Sequence, residues 1–277
     1  MPEVTNQDIF QHKSSIMEGM SKALGFDIPV ELTTLPSAGK LYPPDHPFHN
    51  STGVQVRSMT AREEDLLTSS ALHKSGQVIN KLVESCLVNK SVKVDSLLTG
   101  DRDAILIALR VIGYGSEYKV KLECPECSEN FSHTFQLNNL KIRPLGADPV
   151  KPNTNRFAYK LPLSKVNVEF KLLTCGEERE ISATEDRKRK LESQAESKVT
   201  TRLFYCIQNI NGEEDRGKIA TITSNLRAGD SRALRSHIAR ISPAIDMTQN
   251  AECTHCGEVS EVDVPLAASF FWPDYGE

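Results

Sequence analysis

Tyr118-Lys119-Val120-Lys121-Leu122-Glu123-Cys124-Pro125-Glu126-Cys127 and, far downstream, Ala251-Glu252-Cys253-Thr254-His255-Cys256-Gly257 are the two stretches on which the reading of this chain turns. In the first, Tyr118, Val120 and Leu122 alternate with lysine and glutamate, and Phe131 and Phe135 mark a second extended run past the cysteines. That period-two pattern around a Cys-x-x-Cys turn predicts a hairpin. The second stretch repeats the logic, with Val259, Val262 and Val264 in an extended run after the turn. Two such turns suit a tetrahedral zinc, because both thiolates of one turn can reach the same ion at about 2.3 Å. Gly257 fits the tight backbone of one turn and Pro125 stiffens the other. Seven cysteines scattered at random would give about 0.15 such pairs, and two together roughly one time in a hundred.

The separation is unusual. Between Cys127 and Cys253 lie 125 residues, whereas a familiar zinc ribbon spaces its pairs by about 15–20. Because loop-closure cost grows slowly with length, one site remains the preferred expectation. It predicts a structural Zn2+ held by Cys124, Cys127, Cys253 and Cys256, with helices inserted between the two hairpins. The fold class expected is α+β: helical units with short antiparallel hairpins forming a split zinc-ribbon-like site of four cysteines. Thiol–disulfide exchange is the competing chemistry, but it normally places the motif at a helix start. Here extended runs follow both turns. Cys86, Cys175 and Cys206 read as packing residues, and His133 and His255 as bystanders to a shell of four thiolates.

Composition narrows the function classes. The 277 residues suffice for a proper core, and 33 basic against 37 acidic side chains argue against a dedicated nucleic-acid binder. The apolar stretch from Ala104 to Leu109 is far short of a membrane span. No charged leader followed by an apolar core opens the chain, so a soluble protein made in the cytoplasm is expected. Phosphate loops, nucleophile elbows and His-Glu-x-x-His motifs are missing from the sequence, and a closed shell of four thiolates leaves no position for substrate. The expectation is a protein that is not an enzyme.

Three regions follow. Residues 1–26, with Ile9, Ile16, Met20 and Leu24 at helical spacing, form an N-terminal amphipathic arm. Residues 27–117 form a small helical and extended unit: a Pro-rich irregular segment, a strand near Val54–Ser58, a helix launched by the Thr60–Glu63 capping box, and helices near Gln77–Leu87 and Asp101–Ile112. Residues 118–277 form the zinc-ribbon-like domain with a helical insertion at about 176–242. Within it, a strand is expected around Val166–Leu172 and a charged helix from Glu177 whose end is tied to the core by Leu203, Phe204, Ile207 and Ile210. Helices over Ile219–Leu226 and Ser231–Ile241 should break at Gly229. Arg232, Arg235 and Arg240 read as exposed or paired and are candidates for contact with an acidic partner, and Phe270-Phe271-Trp272-Pro273 is a terminal apolar cluster.

Several motifs carry a resemblance. Leu35-Pro36-Ser37-Ala38-Gly39-Lys40-Leu41-Tyr42-Pro43, then Val56-Arg57-Ser58-Met59-Thr60 leading into Glu63-Glu64-Asp65, resembles baseplate (hub) proteins of contractile-tailed bacteriophages. Asp230-Ser231-Arg232-Ala233-Leu234-Arg235, the Cys-x-x-Cys-Gly turn and the closing aromatic cluster are similar to the same group. The resemblance implies a structural or assembly component whose partners are other baseplate or tail proteins, with self-association open. Its place would be the host bacterial cytoplasm during assembly and the virion tail baseplate if it is a permanent subunit. Two alternatives stay open: a zinc-ribbon module that binds nucleic acid, and a thiol–disulfide redox protein.

Overall fold

The Pro-rich segment begins with a strand in the computed structural model, which describes residues 27–69, 72, 77–191, 198–265 and 270–271. The expected arm over residues 1–26 and the pair Trp272-Pro273 lie outside the described residues. Strand β1 (Val30–Thr34) pairs antiparallel with β2 (Gly53–Arg57), Val30 opposite Arg57. The loop between them is irregular yet buried: Leu35, Leu41, Tyr42 and Phe48 are each at most 3 % exposed. Gly39 sits at φ +71°, and a Cβ there would collide with the Phe48 carbonyl, so only glycine fits.

Helix α1 (Ala61–Thr68) starts at the expected capping box, with the Glu63 side chain accepting from the Thr60 backbone N–H at 2.9 Å. Helix α2 (Val78–Cys86) buries Val78, Leu82, Val83 and Cys86. Helix α3 (Thr99–Tyr114) buries Ile105, Leu106 and Leu109, and Gly115 at φ +81° caps it. Buried Arg110 donates to the Gly115 and Glu117 carbonyls, both at 2.9 Å, satisfying acceptors just beyond the helix end.

The predicted hairpin follows. Strands β3 (Glu117–Glu123) and β4 (Asn130–Gln136) pair along their whole length, from Glu117 opposite Gln136 to Glu123 opposite Asn130. A short strand β5 (Lys141–Arg143) comes next. A three-stranded antiparallel sheet then combines β6 (Phe157–Lys160), β7 (Asn167–Phe170) and, after helices α4 (Cys175–Leu191) and α5 (Lys198–Cys206), β8 (Ile207–Ile210). The expected charged helix therefore ends earlier than its pattern suggests. Ile207 and Ile210 satisfy helical spacing with Leu203, but they enter a strand because β7 offers them an unpaired edge: Val168 faces Ile210. Helices α6 (Arg216–Ser224) and α7 (Ala228–Ile241) close this region. Gly229 lies in the first turn of α7 rather than at the break, and a Cβ there would press on Leu163.

Strand β9 (Ala244–Asp246) and the second hairpin, β10 (Thr248–Glu252) with β11 (Val259–Asp263), complete the order. The pairing of β5 with β9 organises the whole: Lys141 faces Asp246 and Arg143 faces Ala244. The chain leaves the first hairpin through β5 and enters the second through β9, so this ladder closes the neck of the long excursion between them. Gly100, in the first turn of α3, packs on the neck so tightly that a Cβ would overlap the Pro243 carbonyl. One apolar core runs from Leu35 to Phe271 and includes Tyr118, Phe135, Val168, Phe170, Leu234 and Phe270. The Tyr118 and Phe270 rings meet edge to face at 5.1 Å. Each large apolar side chain so buried contributes about 1.5–3 kcal/mol. This is an α+β fold with small antiparallel sheets, and four of its cysteines converge at the hairpin tips.

Candidate metal centre

Each hairpin ends in the same turn. In the first, the Ser128 N–H donates to the Cys124 carbonyl at 2.9 Å and the Cys124 N–H to the Glu129 carbonyl at 3.0 Å. In the second, the Gly257 N–H donates to the Cys253 carbonyl at 2.9 Å and the Cys253 N–H to the Glu258 carbonyl at 2.8 Å. Ser128 and Gly257 are equivalent, at φ +58° and +74°. Glycine reaches that region freely, whereas Ser128 bears a left-handed penalty of about 1 kcal/mol. Nothing in the sequence analysis singles out Ser128, although aligning the two Cys-x-x-Cys turns residue by residue would find it.

The four sulfurs lie within 4.8 Å of one another. Cys124 Sγ is 3.6 Å from Cys256 Sγ, and Cys127 Sγ is 3.8 Å from Cys253 Sγ. A regular tetrahedron with metal–sulfur arms of about 2.3 Å has sulfur–sulfur edges of about 3.8 Å. The close pairs join opposite hairpins, so the cluster ties together parts of the chain that are 132 and 126 positions apart. Cys124 and Cys253, at the strand ends, are buried with Phe131 and Ala251 in a small apolar platform; Cys127 is half-buried and Cys256 exposed. Gln249 Nε2 donates to the Gln136 carbonyl at 3.1 Å, a further bond between the hairpins.

The four thiols act on one another electrostatically. The amide N–H groups of Cys127 and then Glu126 bring the Cys124 thiol down to about 7. For Cys256 the Glu258 amide also pulls downward, but desolvation and the other three thiols outweigh it and push it up to about 12. Four thiolates at this spacing repel one another strongly in a partly dry site, and a bound cation removes that repulsion. The donor set is all sulfur. The His133 ring is taken up by Phe135, edge to face at 4.7 Å, and His255 contributes its backbone N–H to Cys253 Sγ at 3.4 Å. These residues can hold a metal ion in a closed tetrahedral shell. Both turns run directly into strands, β4 and β11, rather than into a helix whose dipole would lower a thiol pKa.

The other three cysteines are remote in character. Cys86, Cys175 and Cys206 are each at most 2 % exposed, and burial pushes all three thiols up to about 12.

The motifs that carried the resemblance are points where the chain is locked. Asp101 is fully buried and accepts from the Ser37 N–H, the Ser37 hydroxyl and the Tyr42 hydroxyl at 2.9, 2.6 and 2.6 Å. Arg57 donates to both Glu63 oxygens, at 3.0 and 2.7 Å, and the Ser85 hydroxyl adds a bond at 2.5 Å. Asp230 is fully buried and accepts from the Leu163 and Ser164 amides at 2.8 and 3.0 Å. The sequence motifs contain Ser37, Tyr42 and Glu63 but do not point to Asp101 as a partner, since nothing local marks a contact across 64 positions.

No helix among the described residues is long and apolar enough to cross a membrane. No curated protein and no solved structure gives a significant match to the chain. A family model described as T4 bacteriophage base plate protein matches residues 28–272. That span contains the Ser37–Tyr42 loop, the Arg57–Glu63 pair, both cysteine turns and the buried Phe270–Phe271 pair, so the chain belongs to the T4 bacteriophage base plate protein family.

Proposed function

We propose that this protein is a structural or assembly component of a phage tail baseplate, and that a structural Zn2+ on Cys124, Cys127, Cys253 and Cys256 staples its two hairpins. The observation that carries the reading is the meeting of four sulfurs from two distant hairpins, at edges of 3.6 and 3.8 Å, inside a baseplate family span. An all-thiolate tetrahedral set favours zinc or an iron–sulfur centre over harder cations, and a single-ion shell of this size suits zinc. The ion would supply charge neutralisation and a cross-link, not chemistry.

On this reading residues 118–277 form a split zinc-ribbon-like domain carrying a helical insertion at about 176–242, with residues 27–117 as the N-terminal unit. A baseplate part must keep its shape while neighbours transmit force, and a cross-link at the hairpin tips resists local opening there. Its partners are other baseplate or tail proteins, and its place is the tail or the pool of assembly intermediates. The turns bear Glu126, Glu129, Glu252 and Glu258, which repel phosphate and disfavour a nucleic-acid role.

Quantitative proteomics of purified tails and of assembly intermediates tests this. Fixed stoichiometry in finished tails supports a permanent subunit, and presence in intermediates alone supports an assembly factor. Absence from both overturns the proposal.

A further inference from the structure

The formal charge of −4 hides a strong separation of sign. The two knuckle hairpins, residues 117–136 and 248–263, carry eight carboxylates against two lysines, a formal charge of −6. Glu123, Glu126, Glu129, Glu252 and Glu258 are all exposed around the hairpin tips, and none is in a salt bridge among the described residues. Four thiolates around a divalent ion would add two more negative charges.

Helix α7 shows the opposite sign. Its one acid, Asp230, is turned inward onto the Leu163 and Ser164 amides and leaves the outer face. Leu234 and Ile241 anchor the inner face in the core. The outer face presents Arg232 and Arg235, both exposed and without an ionic partner among the described residues. Arg227 precedes the helix, and Arg240, bonded to the His237 ring at 3.0 Å, extends the row. Arg143 continues it onto β5, where its Nε donates to the Ser242 carbonyl at 3.3 Å. Arginines without an ionic partner have a planar, weakly hydrated head suited to carboxylates.

Among the described residues, no salt bridge joins the two regions within one molecule. β5 lies at the base of the first hairpin, and β3, seven residues long, places the acidic tip about 20 Å farther out. That distance exceeds the Debye length of about 8 Å at physiological salt.

We propose that a second copy of this chain docks its acidic knuckle lobe on the arginine face of α7 and β5. The contact is heterologous: each copy offers one face of each sign, so copies add head to tail, and the rotation between them decides ring or filament. Charge complementarity of this kind sets register and speeds encounter. The proposal rests on the zinc-stapled reading for the integrity of the lobe alone.

Full-length protein measured by sedimentation velocity over a concentration series, at about 50 mM and 500 mM salt, tests it. The expected result is concentration-dependent association that weakens with salt. The paired reversals Arg232→Glu with Arg235→Glu, and Glu126→Lys with Glu258→Lys, should each weaken self-association about tenfold or more. Because one reversed protein keeps its acidic lobe and the other its arginine face, mixing them should restore association, with the two proteins incorporated in equal amounts. Zinc content and circular dichroism on the same samples separate the two claims. A metal-loaded, folded protein that stays monomeric at low salt, or associates equally well after both reversals, overturns this inference and leaves the zinc reading standing. An unmodified protein that carries no metal overturns the zinc reading instead.

Discussion

The carboxylate of Asp101 accepts hydrogen bonds from both the amide and the hydroxyl of Ser37, across 64 positions of the chain. The Tyr42 hydroxyl joins them and itself accepts from the Leu98 amide at 3.0 Å. Burial pushes the Asp101 carboxyl up, and the three donated bonds pull against it. One acidic side chain at the start of α3 thus holds the whole loop between β1 and β2.

Asp101→Ala should therefore leave buried donors on Ser37 and Tyr42 without acceptors. The expected cost is about 3 kcal/mol or more in urea unfolding. Tyr42→Phe keeps the ring and removes one hydroxyl, so it should cost less, about 1–2 kcal/mol. Equal and small losses for both would show that the loop is not held here.

Glu63 gives a pH signature. Burial alone would raise its carboxyl, but hydrogen bonds from Arg57, Ser85 and Thr60 outweigh that and hold it at about 2. Its unfolded value is near 4.3. A depressed native value means stability that is present above the unfolded value and lost as pH falls from about 4.5 towards 2. The unmodified protein should exceed Glu63→Gln by on the order of 2 kcal/mol at pH 6, with the gap shrinking through that window. The difference between the two proteins is the readout, because acid also protonates the cysteine cluster in both. A gap that does not change with pH would contradict the assignment.

Two glycines separate strain from space. At Gly100 a Cβ would overlap the Pro243 carbonyl, so Gly100→Ala should cost about 1–3 kcal/mol by pushing α3 off the β5–β9 neck. At Gly257 a Cβ meets nothing within 4 Å, so Gly257→Ala should cost about 1 kcal/mol, from its φ of +74° alone. Ser128→Gly at the equivalent turn relieves the same strain and should be neutral or slightly stabilising. Thermal unfolding of the metal-loaded proteins checks the ranking.

The elements most legible in the sequence are those whose signal is local. Tyr118, Val120 and Leu122 alternate across a half-buried strand, the Thr60–Glu63 box writes its own helix start, and Cys-x-x-Cys marks each turn. The two cysteine turns are legible despite their long separation, and the fold brings their four sulfurs within 4.8 Å of one another. What escapes is set by contacts elsewhere in the chain. Strand β1 sits in a proline-rich stretch and exists through β2. Strands β5 and β9 are three residues each, and Lys141, Ile142 and Arg143 are all exposed, so no alternation marks the ladder that closes the neck. Ile207 and Ile210 fit a helical period in the sequence alone, and only the competing edge of β7 makes them a strand.

Metal content of the untagged, purified chain, with free thiols counted before and after chelation, tests the central claim most directly. Cys86, Cys175 and Cys206 are sealed in the core and should stay unreactive in the folded protein. One zinc per chain is expected, with four thiols that become reactive only on chelation and loss of order confined to the knuckle hairpins. A metal-free protein with an oxidised Cys-x-x-Cys pair and an unchanged fold would contradict it.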